Sequence, residues 1–257
     1  VKPHDWYGDR GESFRVAAYN VGDGPDPIKV AHLVRLAIAH AVGLVGMCEG
    51  ADRRRMLRAF RRTMRRVHGQ RWGSYQPFRA RGGASVPIAW SKAEWQRLRW
   101  RSVLAVARMF LGPRGAGPTY AKAKAINVLV LRHRATGRVV KYLNGHAIPS
   151  EERHLSPAED ARRDEHYRAF VAALVGILDH THVPVVLTAD LNAGPTNPKL
   201  GPLKDAGMTG WSTEPTHDRS IFDHIAARGL LLLGEDLVHG ASDHATVVHE
   251  FGFPVVA

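Results

Sequence analysis

A chain of 257 residues with 44% hydrophobic and 23% charged side chains can bury a sizeable core, and no apolar run reaches the about 20 residues of a membrane-spanning helix, so disorder and helical membrane insertion are both excluded. The 36 Lys plus Arg against 24 Asp plus Glu leave a net charge of +12, most of it on arginine, whose planar fork grips phosphate oxygens in pairs; nucleic acid fits this balance better than a small anionic metabolite. The single cysteine, Cys48, excludes an internal disulfide, fits a reducing compartment and, directly after Leu44-Val45-Gly46-Met47, reads as a small core hydrophobe.

In chain order, Ser13 to Val21 alternates Phe14, Val16 and Ala18 with Arg15, Ala17 and Tyr19 and predicts a strand. Pro27 to Ala41 predicts a helix burying Ile28, Val34, Ile38 and Val42. Leu44 to Cys48 is a short buried strand ending on Glu49. From Arg53 to Val67, behind Asp52 as N-cap, a helix places Met56, Leu57, Phe60, Met64 and Val67 on one face and arginine on the other. Pro87 to Trp90, Trp95 to Met109, Ala125 to His133 and Arg138 to Asn144 read as strands, the last two joined through Ala135-Thr136-Gly137. Ser156-Pro157 marks an N-cap and first-turn proline for a long helix over Ala158 to Asp179, followed by a strand from Val185 to Ala189. Ile221 to Ala226 and Ala245 to Phe251 close the chain as strands. Helices interleaved with strands and hairpins indicate mixed sheets, and no linker or composition shift divides residues 1–257 into more than one domain.

Polar groups gather at the ends of these strands. Asn20 closes the first, Glu49 the second, and His146 follows Asn144-Gly145; Asp190 and Asn192 close the strand after the long helix and, at i and i+2, share one face. Asp223 and His224 sit in an apolar strand, and Ser242-Asp243-His244 opens the last. Each has an ordinary role available: Asn20 before Gly22-Asp23-Gly24 and Asp190-Leu191-Asn192 before Gly194-Pro195 are good turn formers, His146 suits a strand end, Asp223 could pair with His224, and Asp243-His244 could cap a turn. Glu49 is harder to place this way, because a carboxylate abutting a buried strand costs several kcal/mol unless it is paired, metal-bound or emerging into water. Oxygen and imidazole groups spread over the ends of many strands are what a shared cleft requires.

Six segments in order, Tyr19-Asn20-Val21, Met47-Cys48-Glu49, Asn144-Gly145-His146, Ala189-Asp190-Leu191-Asn192, Phe222-Asp223-His224-Ile225 and Ser242-Asp243-His244, resemble the marks of the endonuclease/exonuclease/phosphatase superfamily, across nearly the whole chain. Two segments depart from its usual form: Ala-Asp-Leu-Asn replaces Gly-Asp-Phe-Asn, and Asn-Gly-His replaces Asn-Thr-His, both at positions outside the chemistry. The resemblance implies an α/β four-layer sandwich of two packed mixed β-sheets flanked by helices. It also implies divalent-metal-dependent hydrolysis of a phosphate ester with Mg²⁺ or Mn²⁺, Glu49 as first metal ligand, and Asn20 and Asp243 as direct or water-mediated partners. By the same resemblance Asp223 orients His244, Asn192 holds the attacking water or a phosphate oxygen, and His146 binds phosphate or protonates the leaving group. Either His244 with Asp223 activates the water, or Asp190 does so while protonated His244 stabilises the phosphoryl group; both routes stay open at this point.

Charge selects the expected substrate. Arg53-Arg54-Arg55 follows the Glu49 strand end, and Arg108 to Lys124 reads as a flexible basic loop in which Arg114, Lys122 and Lys124 would contact phosphates and Tyr120 would stack or wedge against a base or sugar. No base-reading module appears, so the expected activity is a nuclease on DNA with little sequence preference. The alternatives are a phosphodiesterase or phosphatase on a phospholipid or small phosphate ester, and a non-catalytic nucleic-acid-binding protein on the same scaffold. Without an N-terminal segment of signal type the cytoplasm is the expected location; secretion stays open because the sequence starts at Val1 rather than methionine.

Overall fold

Alternation along the strands decides how the layers stack. The computed structural model describes residues 13–22, 26–49, 54–77, 86–114, 117–149, 156–217, 220–240 and 242–254. One sheet has the order β12(Leu231–Val238), β13(Thr246–Gly252), β1(Ser13–Asn20), β2(Leu44–Cys48), β4(Ile88–Ser91), β3(Trp72–Tyr75); the other has β11(Asp223–Arg228), β10(Val185–Asp190), β9(Val139–His146), β8(Lys124–His133), β5(Trp95–Val106). Each contains one parallel pair, β1 with β2 and β9 with β10, among antiparallel neighbours, so both are mixed.

In β1, Phe14, Val16 and Ala18 join Leu44, Leu129, Leu131, Val140, Tyr142, Val186 and Ile225 in a layer between the sheets. Ala17 and Tyr19 face the other way, toward α1(Asp26–Ala39) and α2(Arg54–Val67). Across the second sheet Val185, Leu187 and Ala189 pack on Tyr167, Phe170, Val171 and Leu174 of α3(Pro157–Asp179). Three apolar layers thus separate four structural ones, as expected of an α/β sandwich.

The α3 cap is as the sequence predicts and more complete, since Ser156 Oγ accepts from Glu159 N while the Glu159 carboxylate accepts from Ser156 N. The buried face of α1 differs: Leu33, Leu36 and Ala37, with Lys29 and His32, face the sheet, whereas Ile28 and Ile38 are exposed. Spacings of three and four from Lys29 define that stripe, and the two charged or polar members disguised it. In α2 Met56, Leu57, Phe60 and Met64 are buried and Val67, the last helical residue, is not; Arg55, Arg58, Arg62, Arg65 and Arg66 line the exposed face. Asp52 lies outside the described residues. The segment read as a flexible loop is instead a hairpin, β6(Met109–Arg114) with β7(Gly117–Ala121), whose Leu111 and Ala121 pack on Ile148. The short strand β3, the edge strand β12 and the one-turn helix α4(Gly201–Asp205) carry no clear period, and the sequence did not predict them.

Between the inter-sheet core and the polar strand ends lies a hydrogen-bonded layer. Thr188 Oγ1 lies 2.9 Å from both Tyr142 Oη and Asn144 Oδ1, and Asn144 Nδ2 donates to Met47 O at 2.8 Å. This layer needs the bare backbone of Gly46, because a Cβ there would lie 1.9 Å from Thr188 Oγ1 and 2.6 Å from Asn144 Oδ1. Gly46→Ala is therefore expected to destabilise the fold by about 1–3 kcal/mol, read as a lower denaturant midpoint at unchanged slope. An unchanged midpoint would show that the layer tolerates the methyl group.

Candidate active site

The parity that builds the core also aims the polar side chains. Two residues beyond Ala18 comes Asn20; beyond Val186 and Thr188 comes Asp190; beyond Tyr142 and Asn144 comes His146; and Asp223 precedes Ile225 by two. Each therefore faces the space between the sheets where the apolar residues run out. Register aligns them. Asp190 pairs with His146 on one side and Asp223 on the other, placing three titratable side chains in one row across β9, β10 and β11. Opposite that row, Asn20 pairs with Cys48.

Asp190, only 2% exposed, is held from three directions: Asn20 Nδ2 donates to Oδ2 at 3.0 Å, the Asn192 backbone N–H donates to Oδ1 at 3.0 Å, and His146 Nε2 lies 3.7 Å from Oδ2. Beneath it Cys48, buried as expected, donates to Gly145 O at 3.1 Å and accepts from Asp190 N at 3.3 Å. One expectation changes here. β10 ends at Asp190, and Asn192 has φ +50°, so the two meet through an Asx turn rather than along one strand face; Asn192 Nδ2 reaches Ala147 O at 3.3 Å. The turn reading and the site reading of this segment are the same geometry.

Glu49 also has positive φ, +54°. After the buried strand β2, this left-handed residue redirects the chain, bringing an exposed carboxylate to the cleft. Glu49, His146 and Asp190 each offer a ligand atom within 4.8 Å of the others. On the far side of the row, His244 Nδ1 donates to Asp223 Oδ2 at 2.5 Å, and Asp223 N and Phe222 N both donate to Thr216 Oγ1 at 3.1 Å. His224 points away from this pair: its Nε2 donates to Ala193 O at 2.7 Å, and its ring meets Trp211 edge-on. Asp243 is exposed, bonded by Ser242 Oγ, and lies 3.6 Å from His217 Nε2. It also borders the Asn20 turn, since a Cβ on Gly22 would be 3.1 Å from Asp243 Oδ1.

The electrostatics divide the site into groups that resist charge and groups that keep it. Burial, then the neighbouring Asp223 charge, raises the Asp190 pKa well above the usual carboxylate range, with Glu49 adding and His244 opposing. Burial pulls His146 well below its ordinary value, and the Lys124 and His244 charges add, so it is neutral at pH 7. Burial also opposes charge on His244, but the Asp223 hydrogen bond and charge, with Asp190 and Asp243, outweigh it and raise its pKa.

Of the residues expected to contact nucleic acid, Arg53 and the Arg114 side chain lie outside the described residues. Tyr120 is exposed on the hairpin, with the Arg108 guanidinium 3.8 Å from its ring centroid and Phe110 edge-on at 5.5 Å. Lys122 is exposed. Lys124 instead begins β8 and turns inward, Nζ donating to Ala147 O at 3.2 Å; burial lowers its pKa to about 8, against the pull of Asp190, Cys48 and Glu49. Sequence reading missed its place in the cleft. It also missed His217, whose ring centroid is 4.5 Å from that of His244, and Lys29, whose Nζ donates to Gly22 O at 2.5 Å. None of the three ends a strand on the core parity or lies in a segment that carries the family resemblance.

No protein-family model matches the chain, and comparison with curated proteins finds no match. Among solved structures it is similar to an endonuclease/exonuclease/phosphatase from Bacteroides vulgatus, at 14% identity and TM-score 0.69 over 94% of this chain and 99% of that one. It is also similar to D. rerio TDP2 complexed with a single-strand DNA product, at 10% identity and TM-score 0.65 over 93% and 99%. A third is the Bacteroides thetaiotaomicron mannosyl-6-phosphatase, at 12% identity and TM-score 0.61 over 93% and 100%. The chain has the endonuclease/exonuclease/phosphatase fold. Within that fold, the donor set at Glu49 fits a divalent cation: two of its three members are carboxylates, the kind of ligand Mg²⁺ and Mn²⁺ prefer, and a cation there would counter the burial and the neighbouring carboxylate charges that raise Asp190. Asn20 already uses Nδ2 on Asp190 and accepts from Gly22 N at 3.0 Å, leaving one Oδ1 lone pair.

Proposed function

We propose that the chain hydrolyses phosphodiester bonds with a divalent metal and that its substrate is DNA, cut with little sequence preference. The observation that carries the chemistry is the row His146, Asp190, Asp223 with His244 bonded to Asp223 at 2.5 Å. Glu49 would hold the cation, with Asn20 and Asp243 as direct or water-mediated partners, and the ion would supply positive charge against the phosphoryl oxygens. Two observations support Asp190 as the base and protonated His244 as the charge stabiliser. A carboxyl whose pKa burial and Asp223 raise is a stronger base than a solvated one, and an imidazolium that Asp223 favours keeps its charge to higher pH. Asn192, fixed by the Asx turn, would position the water or a phosphate oxygen, and His146, neutral at pH 7, would hydrogen-bond the phosphate or leaving group.

The pH dependence follows in sign. Stabilisation by protonated His244 is present below its raised pKa and lost as pH rises through it. Asp223→Asn removes the partner that raises this pKa, so the alkaline limb of kcat/KM should move to lower pH together with the His244 imidazole titration followed by NMR. A variant whose alkaline limb stays in place would contradict the assignment.

DNA is supported by the net charge of +12, by the exposed arginine face of α2, which begins five residues after Glu49, by Tyr120 on a hairpin rooted beside the cleft through Ile148, and by Lys122 just after that hairpin. The structural neighbour holding a single-strand DNA product supports it too. The mannosyl-6-phosphatase neighbour supports a second reading, hydrolysis of a phospholipid or small phosphate ester. Plasmid DNA, abasic duplex, RNA, phospholipid and sugar phosphates assayed side by side with Mg²⁺ separate the two. Cleavage confined to the non-nucleic substrates would overturn the choice of DNA.

A further inference from the structure

The donors His217, Asp243 and His244 form a second group at the rim of the cleft, each offering a ligand atom within 4.8 Å of the others. The hydrolytic scheme uses neither the His217 ring nor the space between it and Asp243. His217 Nε2 and Asp243 Oδ2 are 3.6 Å apart, beyond hydrogen-bond reach. A tetrahedral ion with metal–ligand distances of about 2.0–2.2 Å separates its donors by about 3.3–3.6 Å, so this gap is the size an ion would bridge.

The surroundings are built to hold these donors still. Thr216 is tied to the start of β11 through its Oγ1 and to the start of β13 by Ala245 N donating to Thr216 O at 2.7 Å. His217 pairs its backbone with Ser220 in both directions and stacks on Phe222 at 6.0 Å. Ser242 Oγ donates to Asp243 Oδ1, leaving Oδ2 toward His217. Asp223 fixes the Nδ1 side of His244, leaving Nε2 for a metal in the carboxylate–histidine–metal arrangement that orients ligands in zinc sites.

We propose that His217, Asp243 and His244 form a zinc site beside the Mg²⁺ position at Glu49, sharing Asp243 with it, and that Zn²⁺ bound there inhibits hydrolysis. Two imidazoles and one carboxylate, with a fourth position for water, match zinc and not magnesium, which avoids nitrogen ligands and loses its waters reluctantly. The ion would occupy the His244 nitrogen that otherwise faces the phosphoryl group, so zinc and productive substrate compete for the same atom. Binding by itself does not depend on the proposed activity; only the inhibition rests on that reading.

The test is Zn²⁺ titrated into the intact protein at saturating Mg²⁺, followed by calorimetry and by hydrolysis, for wild type, His217→Ala and His217→Gln. Wild type should bind one equivalent and lose at least about tenfold in rate when saturated, while both variants keep Mg²⁺-supported activity and need on the order of 10–100-fold more zinc for either effect. Cobalt(II) replaces zinc as a spectroscopic probe, with visible bands of a four-coordinate ion expected in wild type and lost in both variants. Equal zinc sensitivity in wild type and variants would place the ion elsewhere and overturn the proposal, as would no stoichiometric binding in wild type. If no phosphate ester is hydrolysed at all, the functional reading fails, and calorimetry with the cobalt spectrum still decides the zinc site.

Discussion

His244→Ala is expected to lower hydrolysis on the order of 10²–10⁴-fold while leaving the fold intact. The loss comes from removing the imidazole that Asp223 holds at 2.5 Å, whichever of the two proton routes operates. The same change leaves the Asp223 carboxylate, 1% exposed, without its side-chain donor, although Thr216 still caps the adjacent backbone. An unsatisfied buried acceptor costs about 1–3 kcal/mol, so the unfolding midpoint should fall while circular dichroism stays native. Asp223→Asn separates the two contributions. It keeps an oxygen acceptor for Nδ1–H but not the charge, so it should reduce activity less than His244→Ala and move the pH profile, which the alanine variant has no imidazole to do. Wild-type activity in His244→Ala would remove this histidine from the chemistry.

Glu49→Ala is expected to reduce Mg²⁺-supported hydrolysis on the order of a hundredfold or more and to raise the Mg²⁺ concentration at half-maximal rate. Its effect on stability should be small, because the carboxylate is exposed. Backbone conformation adds a contrast that a purely structural role would not give. At φ +54° any residue with a Cβ is strained, so Glu49→Gly should fold about 1 kcal/mol more stably than wild type and be as inactive as the alanine variant. A gain in stability together with a loss of activity marks a residue kept in an unfavourable conformation for function. If Glu49→Ala hydrolyses at the wild-type rate across the Mg²⁺ range, the cation is not held at this carboxylate.

Much of the fold was legible because its strands obey a strict period of two. Phe14, Val16 and Ala18 announce β1, and the same parity carried two residues further delivers Asn20 to the cleft. The four-layer arrangement came from the resemblance, and the three apolar layers bear it out. The α1 face was misread because Lys29 and His32, polar by type, are buried. The β6–β7 hairpin was misread because glycine and proline dominate its sequence, and its root on Ile148 is a tertiary contact. The polar residues at the strand ends were legible as candidates, but what joins them was not. The left-handed backbone at Glu49 and Asn192, the in-register row of His146, Asp190 and Asp223, and the approach of His217 to His244 all depend on pairing across the chain, which no local pattern encodes.

The proposed activity of this cleft is cleavage of DNA with a bound divalent metal. Conversion of supercoiled plasmid by the intact protein, with Mg²⁺ and with excess chelator, tests it most directly. Nicking that requires Mg²⁺ and disappears with the chelator is the expected result; undiminished nicking in the chelator, or none under either condition, would contradict it.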